Sequence, residues 1–316
     1  MPEGNPAYSA FEHLDVSGEE VVAVLDDGYD ADITADIVWA LEEEGNEYVV
    51  VKYDEPDQHG AEPPEYAARI MEDVDVVLAP TSKSISHTEA RLNASEEGTR
   101  IASMPAISQK EWSEGVQADI QNIKDINNVL KGHLEGANEI NIRCPNGTDY
   151  SATIDPSYMR YDDGDLSDSG SFGNLPAGEV FTTPIESEGK IIADLFDPAP
   201  KGTEISIEGN YVGNIESPKD DETKFEKLIE ERPEQDLDLV AEVGIGTNPR
   251  AEDTEGILQR ETLLGTAHIA FGSSAGLVPE DHPHYNRSVF HYDNVIQEPT
   301  VAIDGEEIIT RGEPQF

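Results

Sequence analysis

Two histidines and an aspartate near the C-terminal end of this 316-residue chain have the types and spacing to hold a metal ion. The run Gly265-Thr266-Ala267-His268-Ile269-Ala270-Phe271-Gly272 reads as a strand, and 23 residues after His268 comes His291-Tyr292-Asp293, a His-x-Asp pair. Alternate residues of a strand share a face, so His268 lies with the small side chains of Thr266 and Ala270, while Ala267, Ile269 and Phe271 face the other way. His291 and Asp293 share a face too, about 7 Å apart at Cα, close enough to reach one ion. Four of the eight histidines (His268, His282, His284 and His291) fall within 24 residues, where even spreading would put fewer than one. The His282-Pro-His284 pair sits in an irregular stretch and reads as neighbouring or exposed rather than as ligand. The same residues also fit a blander picture, a hydrogen-bonded strand histidine and an exposed polar pair.

Two glutamates could complete a site. Within Leu237 to Ile245, the alternation makes Leu239, Ala241, Val243 and Ile245 the apolar face and leaves Glu242 on the other side, beside Gly244, where a missing side chain gives room. Glu179 opens a strand directly after Leu175-Pro176-Ala177-Gly178. Among 67 acidic residues any single strand glutamate is usually just solvated, so both depend on the histidines for their meaning. Other chemistry finds less support. Gly244-Ile245-Gly246 lacks the third glycine of a dinucleotide fingerprint, and there is no His-Glu-x-x-His, although composition leaves a Ser-His-Asp triad open.

Elements that would position these residues can be read upstream and around them. From Glu20 to about Ala106, apolar runs at Val21 to Leu25, Tyr48 to Val51 and Val74 to Ala79 alternate with helical patterns at Ile33 to Glu44 and Pro64 to Met71. That alternation predicts parallel βαβ units, hence a doubly wound, mainly parallel α/β domain over residues 1–136, with further helices at His87 to Ser95 and Gln117 to Leu134. Near Gly136 the character changes. Glu139 to Arg143, the turn signal Asn146-Gly147 and Tyr150 onward predict a hairpin. Strands follow at Gly178 to Ile185, Lys190 to Phe196, Thr203 to Ile207, Leu237 to Ile245, Gly265 to Phe271 and Val301 to Thr310, with one helix at Asp220 to Glu231. Residues 137–316 therefore read as a mainly β, mixed domain that carries the metal site, and the acidic Asp162 to Gly173 as a solvated loop.

Composition limits the partners. With 20 basic and 67 acidic residues the formal charge is −47, a self-repulsion tolerated where salt screens it, which predicts a cytoplasmic protein of a salt-adapted organism. Nucleic acid and anionic membrane are poor partners for such a field. A lone cysteine, Cys144, excludes an intrachain disulfide framework or a Cys-rich zinc site. No run of 18 apolar residues and no signal-like start are present, so three Asn-x-Ser/Thr matches, at Asn93, Asn146 and Asn286, carry no weight as glycosylation sites.

Four motifs stand in an order typical of one family: Asn174 to Pro184, Glu242-Val243-Gly244-Ile245-Gly246-Thr247-Asn248, Gly265 to Gly272 and His291-Tyr292-Asp293. With Ser84-Ile85-Ser86-His87-Thr88-Glu89-Ala90 and Gly98-Thr99-Arg100-Ile101, the chain resembles the aminopeptidase T and aminopeptidase S metallopeptidases, often labelled leucyl aminopeptidase in archaea. The resemblance implies a homodimer and a site of two divalent ions (Zn, Co or Mn) on Glu179, Glu242, His268, His291 and Asp293. It further implies hydrolysis of N-terminal residues from short peptides, by water acidified at the ions, with Glu242 as candidate proton acceptor. Long bacterial members carry a glutamate five residues before the first histidine and a tyrosine seven after it. Here those places hold Leu263 and Ala275, and Glu261 stands seven residues ahead. The region of the two histidines and the aspartate is also similar to 2,5-dihydroxypyridine 5,6-dioxygenase, a related enzyme on the same scaffold. That likeness implies the alternative of one Fe(II) on His268, His291 and Asp293 acting on a small molecule. A degenerate member that keeps the fold without catalysis is the remaining reading.

Overall fold

Asp30 accepts hydrogen bonds from the backbone N–H groups of Asp32 and Ile33, and Gly45 adopts the left-handed conformation that ends a helix; between them lies a helix of 14 residues. Local signals of this kind set most element boundaries in the computed structural model, which describes residues 5–86, 88–219, 222–251 and 257–316. The first elements are α1 (Ala7–Leu14), β1 (Val21–Asp26), α2 (Ala31–Glu44), β2 (Glu47–Lys52), α3 (Glu65–Asp73), β3 (Val76–Ala79), α4 (Glu89–Glu97), β4 (Arg100–Ser103) and α5 (Ile120–Leu134). Then come β5 (Glu139–Arg143), β6 (Asp149–Thr153), β7 (Arg160–Asp162), β8 (Phe172–Asn174), β9 (Glu179–Thr182), β10 (Glu186–Ile192), β11 (Glu204–Glu208) and β12 (Tyr211–Glu216). The chain ends with α6 (Lys224–Glu231), β13 (Val240–Gly246), α7 (Ile257–Thr262), β14 (Ala267–Gly272), β15 (His291–Ile296), β16 (Thr300–Ile303), β17 (Glu306–Thr310) and β18 (Glu313–Pro314). Thr88 caps α4, so the helix expected from His87 begins after it; His87 itself lies outside the described residues. The start expected for α6 at Asp220 also lies outside them, and a reciprocal Thr223–Glu226 capping box opens that helix.

One compact unit comprises Met1–Ile123, Asp162–Ala177 and Arg250–Gln259. Its sheet runs β2-β1-β3-β4-β8 with every pairing parallel. Residues alternate between two cores: Val22, Val24, Val76 and Leu78 pack with Ile33, Ile37 and Leu41 of α2, whereas Ala23, Leu25, Val77 and Ala79 pack with Met71 of α3 and Ala94 of α4. Helices therefore cover both faces, the doubly wound arrangement that the apolar runs predict. The stretch Asp162 to Gly173 differs from the solvated loop expected of it. Its acids do cap turns, with Asp162, Asp163 and Asp165 each accepting from a backbone N–H two residues on. Its end, however, is the edge strand β8, whose three residues are too few to show a period.

The other unit comprises Lys124–Tyr161, Gly178–Pro249 and Arg260–Phe316. Two sheets make it up, one ordered β12-β11-β10-β6-β5-β16-β17-β18 and one ordered β15-β14-β13-β9-β7. Between them lies a single core: Ile140, Ile142, Tyr150, Ile191, Ile205 and Val301 from the larger sheet meet Val180, Val243, Ile245, Ile269, Phe271 and Ile296 from the smaller. Asn146-Gly147 does turn β5 into β6. The strand expected over Lys190 to Phe196 begins earlier, at Glu186, because Gly189 reads as a breaker although it lies inside β10. With one face of the smaller sheet committed to the core, its other face is left for chemistry.

Candidate metal centre

Glu179, Glu242, His268, His291 and Asp293 all project from that free face. The β9–β13 ladder sets Glu179 opposite Gly246, and β13–β14 sets His268 opposite Gly244 and Glu242 opposite Ala270. The β14–β15 ladder sets Asp293 opposite Ala270 and His291 opposite Gly272. Each large donor thus faces a glycine or alanine on the neighbouring strand, so the donors can lean across the sheet toward one another. His268 Nε2 lies 2.9 Å from Glu242 Oε1 and 3.3 Å from Glu179 Oε2. His291 Nε2 lies 3.4 Å from Glu242 Oε2 and 3.4 Å from Asp293 Oδ1. One ligand atom each of Glu179, Glu242 and His268 falls within 4.8 Å of the others. The cluster is dry, with side-chain exposure from 1% for His268 to 17% for His291 and Asp293.

Glycines make the approach possible. A Cβ on Gly244 would stand 2.0 Å from His268 Nε2, so the ring occupies the space of the side chain that is missing there. A Cβ on Gly246 would stand 2.2 Å from the Leu263 carbonyl oxygen and 2.6 Å from that of Glu261. The Gly-Ile-Gly run is therefore a strand over which two things pass closely: a ring and the C-terminal end of α7 with Leu263. That segment is pinned further by Asn248 N–H donating to Thr262 O at 2.8 Å and by Thr266 Oγ1, 2.8 Å from the carbonyls of both Arg260 and Leu263.

Electrostatics follow from burial and pairing. Burial raises the Glu242 carboxyl, but hydrogen bonds from His268 and His291 outweigh it and hold the group at about 2. For His268, burial disfavours the proton, yet the Glu242 hydrogen bond and the charges of Glu179, Glu242 and Asp293 raise it to about 9. His291 is raised well above its ordinary value by Asp293 and Glu242 against the same burial cost. Glu261 is buried and shifted far upward, first by desolvation and then by repulsion from Asp293, Glu179 and Glu242. It faces the same cluster, although it stands two places away from the position that the family spacing marks. Backbone pinning at Gly246 brings it in, a tertiary effect that linear spacing does not carry.

The donor chemistry fits divalent metal. His291 Nδ1 is 2.8 Å from the Ser273 carbonyl, so Nδ1 carries a proton and Nε2 is directed at the carboxylates, the tautomer a metal-binding imidazole needs. Glu179, Glu242, Glu261 and Asp293 supply hard oxygen atoms around two imidazole nitrogens. Strand alternation fails at one point: a bulge between Val240 and Glu242 puts Val240, not Ala241, in the core with Val243 and Ile245. Glu242 keeps its outward side because the bulge lies before it. His282 and His284 are engaged apart from this cluster, His282 Nδ1 accepting from the His284 N–H and His284 Nε2 lying 2.9 Å from the Ile185 carbonyl.

A two-sheet unit that gathers histidines and carboxylates on one buried face, in a chain that also has a doubly wound parallel unit, defines the class: the scaffold of metal-dependent enzymes. Residues 7–315 match the profile of 2,5-dihydroxypyridine 5,6-dioxygenase, NicX, and the chain belongs to that family. Among solved structures it is similar to 2,5-dihydroxypyridine dioxygenase from Pseudomonas putida KT2440, at 16% identity and TM-score 0.73, over 99% of this chain and 98% of that one. It is similar also to wild-type AmpT from Thermus thermophilus, at 17% identity and TM-score 0.65, over 99% of both chains. These likenesses establish a shared fold. No curated protein matches the chain.

Proposed function

We propose that the chain is a metal-dependent hydrolase that holds two divalent cations (Zn, Co or Mn) and removes N-terminal residues from short peptides. The observation that carries this reading is the number of carboxylates. Glu179, Glu242 and Asp293, with the buried Glu261 beside them, surround two imidazoles, more carboxylate groups than one ion held by a facial triad would use. A facial triad needs only His268, His291 and one carboxylate, here Asp293. Divalent cations held there by these residues would acidify water from 15.7 toward about 7 and polarise a carbonyl oxygen. Glu242, with one oxygen toward each imidazole, would help hold the cations, and its carboxyl, held low, suits that role better than the proton-accepting role expected of it. Glu261, buried beside the cluster with its carboxyl raised, would be the group that holds and passes a proton there. Its presence supplies the group that Leu263 lacks.

A second reading has its own support. Membership of the dioxygenase family and the higher TM-score to a dioxygenase favour one Fe(II) on His268, His291 and Asp293, opening a hydroxylated aromatic ring with dioxygen. Metal analysis with identity, on protein purified without chelator, separates the two. The hydrolase predicts about two Zn, Co or Mn ions per chain and release of an aminoacyl reporter group, and His291→Ala should lose the ions. One iron per chain, with dioxygen uptake in the presence of a dihydroxypyridine and no reporter hydrolysis, would establish the other reading. Protein that takes up no metal would leave a member of the fold without catalysis.

A further inference from the structure

We propose that Asn286 is a positioning residue for this centre: its side-chain amide fixes the Gly272 carbonyl and its backbone holds the Ser273–Ser274 peptide, and through them the orientation of the His291 imidazole is set. The inference rests on the metal-binding reading above but not on which chemistry the metal serves. His291 directs Nε2 at the carboxylates only while Nδ1–H is held by Ser273 O at 2.8 Å. Ser273 lies one residue past the end of β14, where the ladder to β15 has run out at Gly272 opposite His291, so sheet pairing no longer fixes its carbonyl.

Asn286 takes over that task. Its side chain is buried at 7% exposure, and Nδ2 stands 2.7 Å from Gly272 O, 2.9 Å from Gln235 O and 3.2 Å from Asp236 O. The turn at Gln235 and Asp236 leads into β13, with Leu239 N–H donating to Asp236 O at 3.2 Å. Thus one amide ties the exit of the strand that bears His268 to the entry of the strand that bears Glu242. Its backbone completes the clamp: Asn286 O accepts from Ser274 N–H at 3.0 Å, and Asn286 N–H donates to Ser274 Oγ at 2.7 Å. Ser273 is thereby held from both sides, by Asn286 through its neighbours and by its own N–H on Phe290 O at 2.8 Å. Removing the amide leaves buried carbonyls without that donor, Gly272 O among them, and loosens the chain next to the peptide that aims His291. The Asn-x-Ser match at this position is a consequence of the clamp; an amide committed to three carbonyls inside the fold is not a glycosylation acceptor.

Equilibrium dialysis of full-length protein against Zn or Co, together with the visible spectrum of the Co form, tests the role without any assay of turnover. Asn286→Ala should lower metal affinity ~10–100-fold and alter the Co spectrum while the far-ultraviolet circular dichroism is retained. Asn46→Ala is the control, since Asn46 is also a buried amide that donates to two carbonyls, Ser17 O and Glu20 O, but lies in the other unit. It should cost stability and leave metal affinity unchanged. If Asn286→Ala does not fold, Ser274→Ala decides, because it removes the hydroxyl that accepts from Asn286 N–H and donates to His284 O. A several-fold loss of affinity is expected there, and wild-type affinity in a folded Ser274→Ala protein refutes the proposal. Wild-type affinity in folded Asn286→Ala, or an equal loss in Asn46→Ala, refutes it as well. A wild-type protein that binds no divalent cation overturns the metal-binding reading itself and the proposal with it, so the two failures are distinguishable.

Discussion

His268 Nε2 lies between the carboxylates of Glu242 and Glu179, and that decides its protonation. Held at about 9 against an ordinary 6.5, its proton contributes stability to the metal-free fold that is fully present below about pH 6.5 and is lost as pH rises through about 9. A metal ion competes with that proton for the same nitrogen. Metal uptake near pH 7 therefore has to expel it, and with it the raised His291 proton, so apparent affinity should climb at least ~10-fold per pH unit from about pH 7 upward. Titration calorimetry at pH 7 in buffers of different ionisation enthalpy reads the expelled protons directly. An observed heat that does not depend on the buffer would show that His268 is neutral before metal arrives, contrary to the charge balance of the cluster. Glu242 moves oppositely: its folded value of about 2 lies below an ordinary 4.5, so its contribution is present above about pH 4.5 and disappears only as pH falls through about 2.

At the scale of elements, the free face of the smaller sheet works because donors and small residues alternate across strands, and Gly244 is the tightest point. Gly244→Ala places a methyl group 2.0 Å from His268 Nε2, so the ring must leave its place over β13. The expected result is loss of metal affinity by ~10-fold or more together with destabilisation of ~1–3 kcal/mol. Dialysis and urea unfolding check the two parts, and unchanged affinity would mean that the ring position is not needed for binding. Much of this arrangement is legible in sequence. His268, His291 and Asp293 declare their face through alternation with Ala267, Ile269, Phe271 and Tyr292, and Asn146-Gly147 declares its hairpin. Where the sequence is silent, the reason is cooperative geometry. The bulge at Val240 shifts the alternation locally, β8 is too short to have a period, and Glu261 enters the cluster through backbone contacts with Gly246 and Asn248. The pairing of donors with glycine or alanine across three ladders is a signal in the residues themselves, but it becomes visible only once the register is known.

On the scale of the whole molecule, two units with separate cores are built from a chain of formal charge −47, and neither core offsets that charge by itself. Buried apolar area is indifferent to ionic strength to first order, whereas repulsion among 67 acids is not. At 0.1 M salt the screening length is about 10 Å and at 1 M about 3 Å, so most of the repulsion beyond nearest neighbours vanishes over that range. The melting temperature should therefore rise on the order of 10 °C between 0.1 and 3 M KCl, equivalent to a few kcal/mol for a chain of this size. Chelated protein should show the same rise, since the repulsion is distributed over the chain and does not originate at the metal cluster. Sucrose at matched osmolality separates screening from preferential exclusion, because it acts only by the latter. Both tryptophans, Trp39 and buried Trp112, belong to the parallel-sheet unit, so fluorescence follows that unit while far-ultraviolet circular dichroism follows both. Salt curves that rise together by the two probes place the repulsion across both units. A rise by circular dichroism alone confines it to the antiparallel unit, and a flat response by both would show that the acids are already spaced beyond one another's reach.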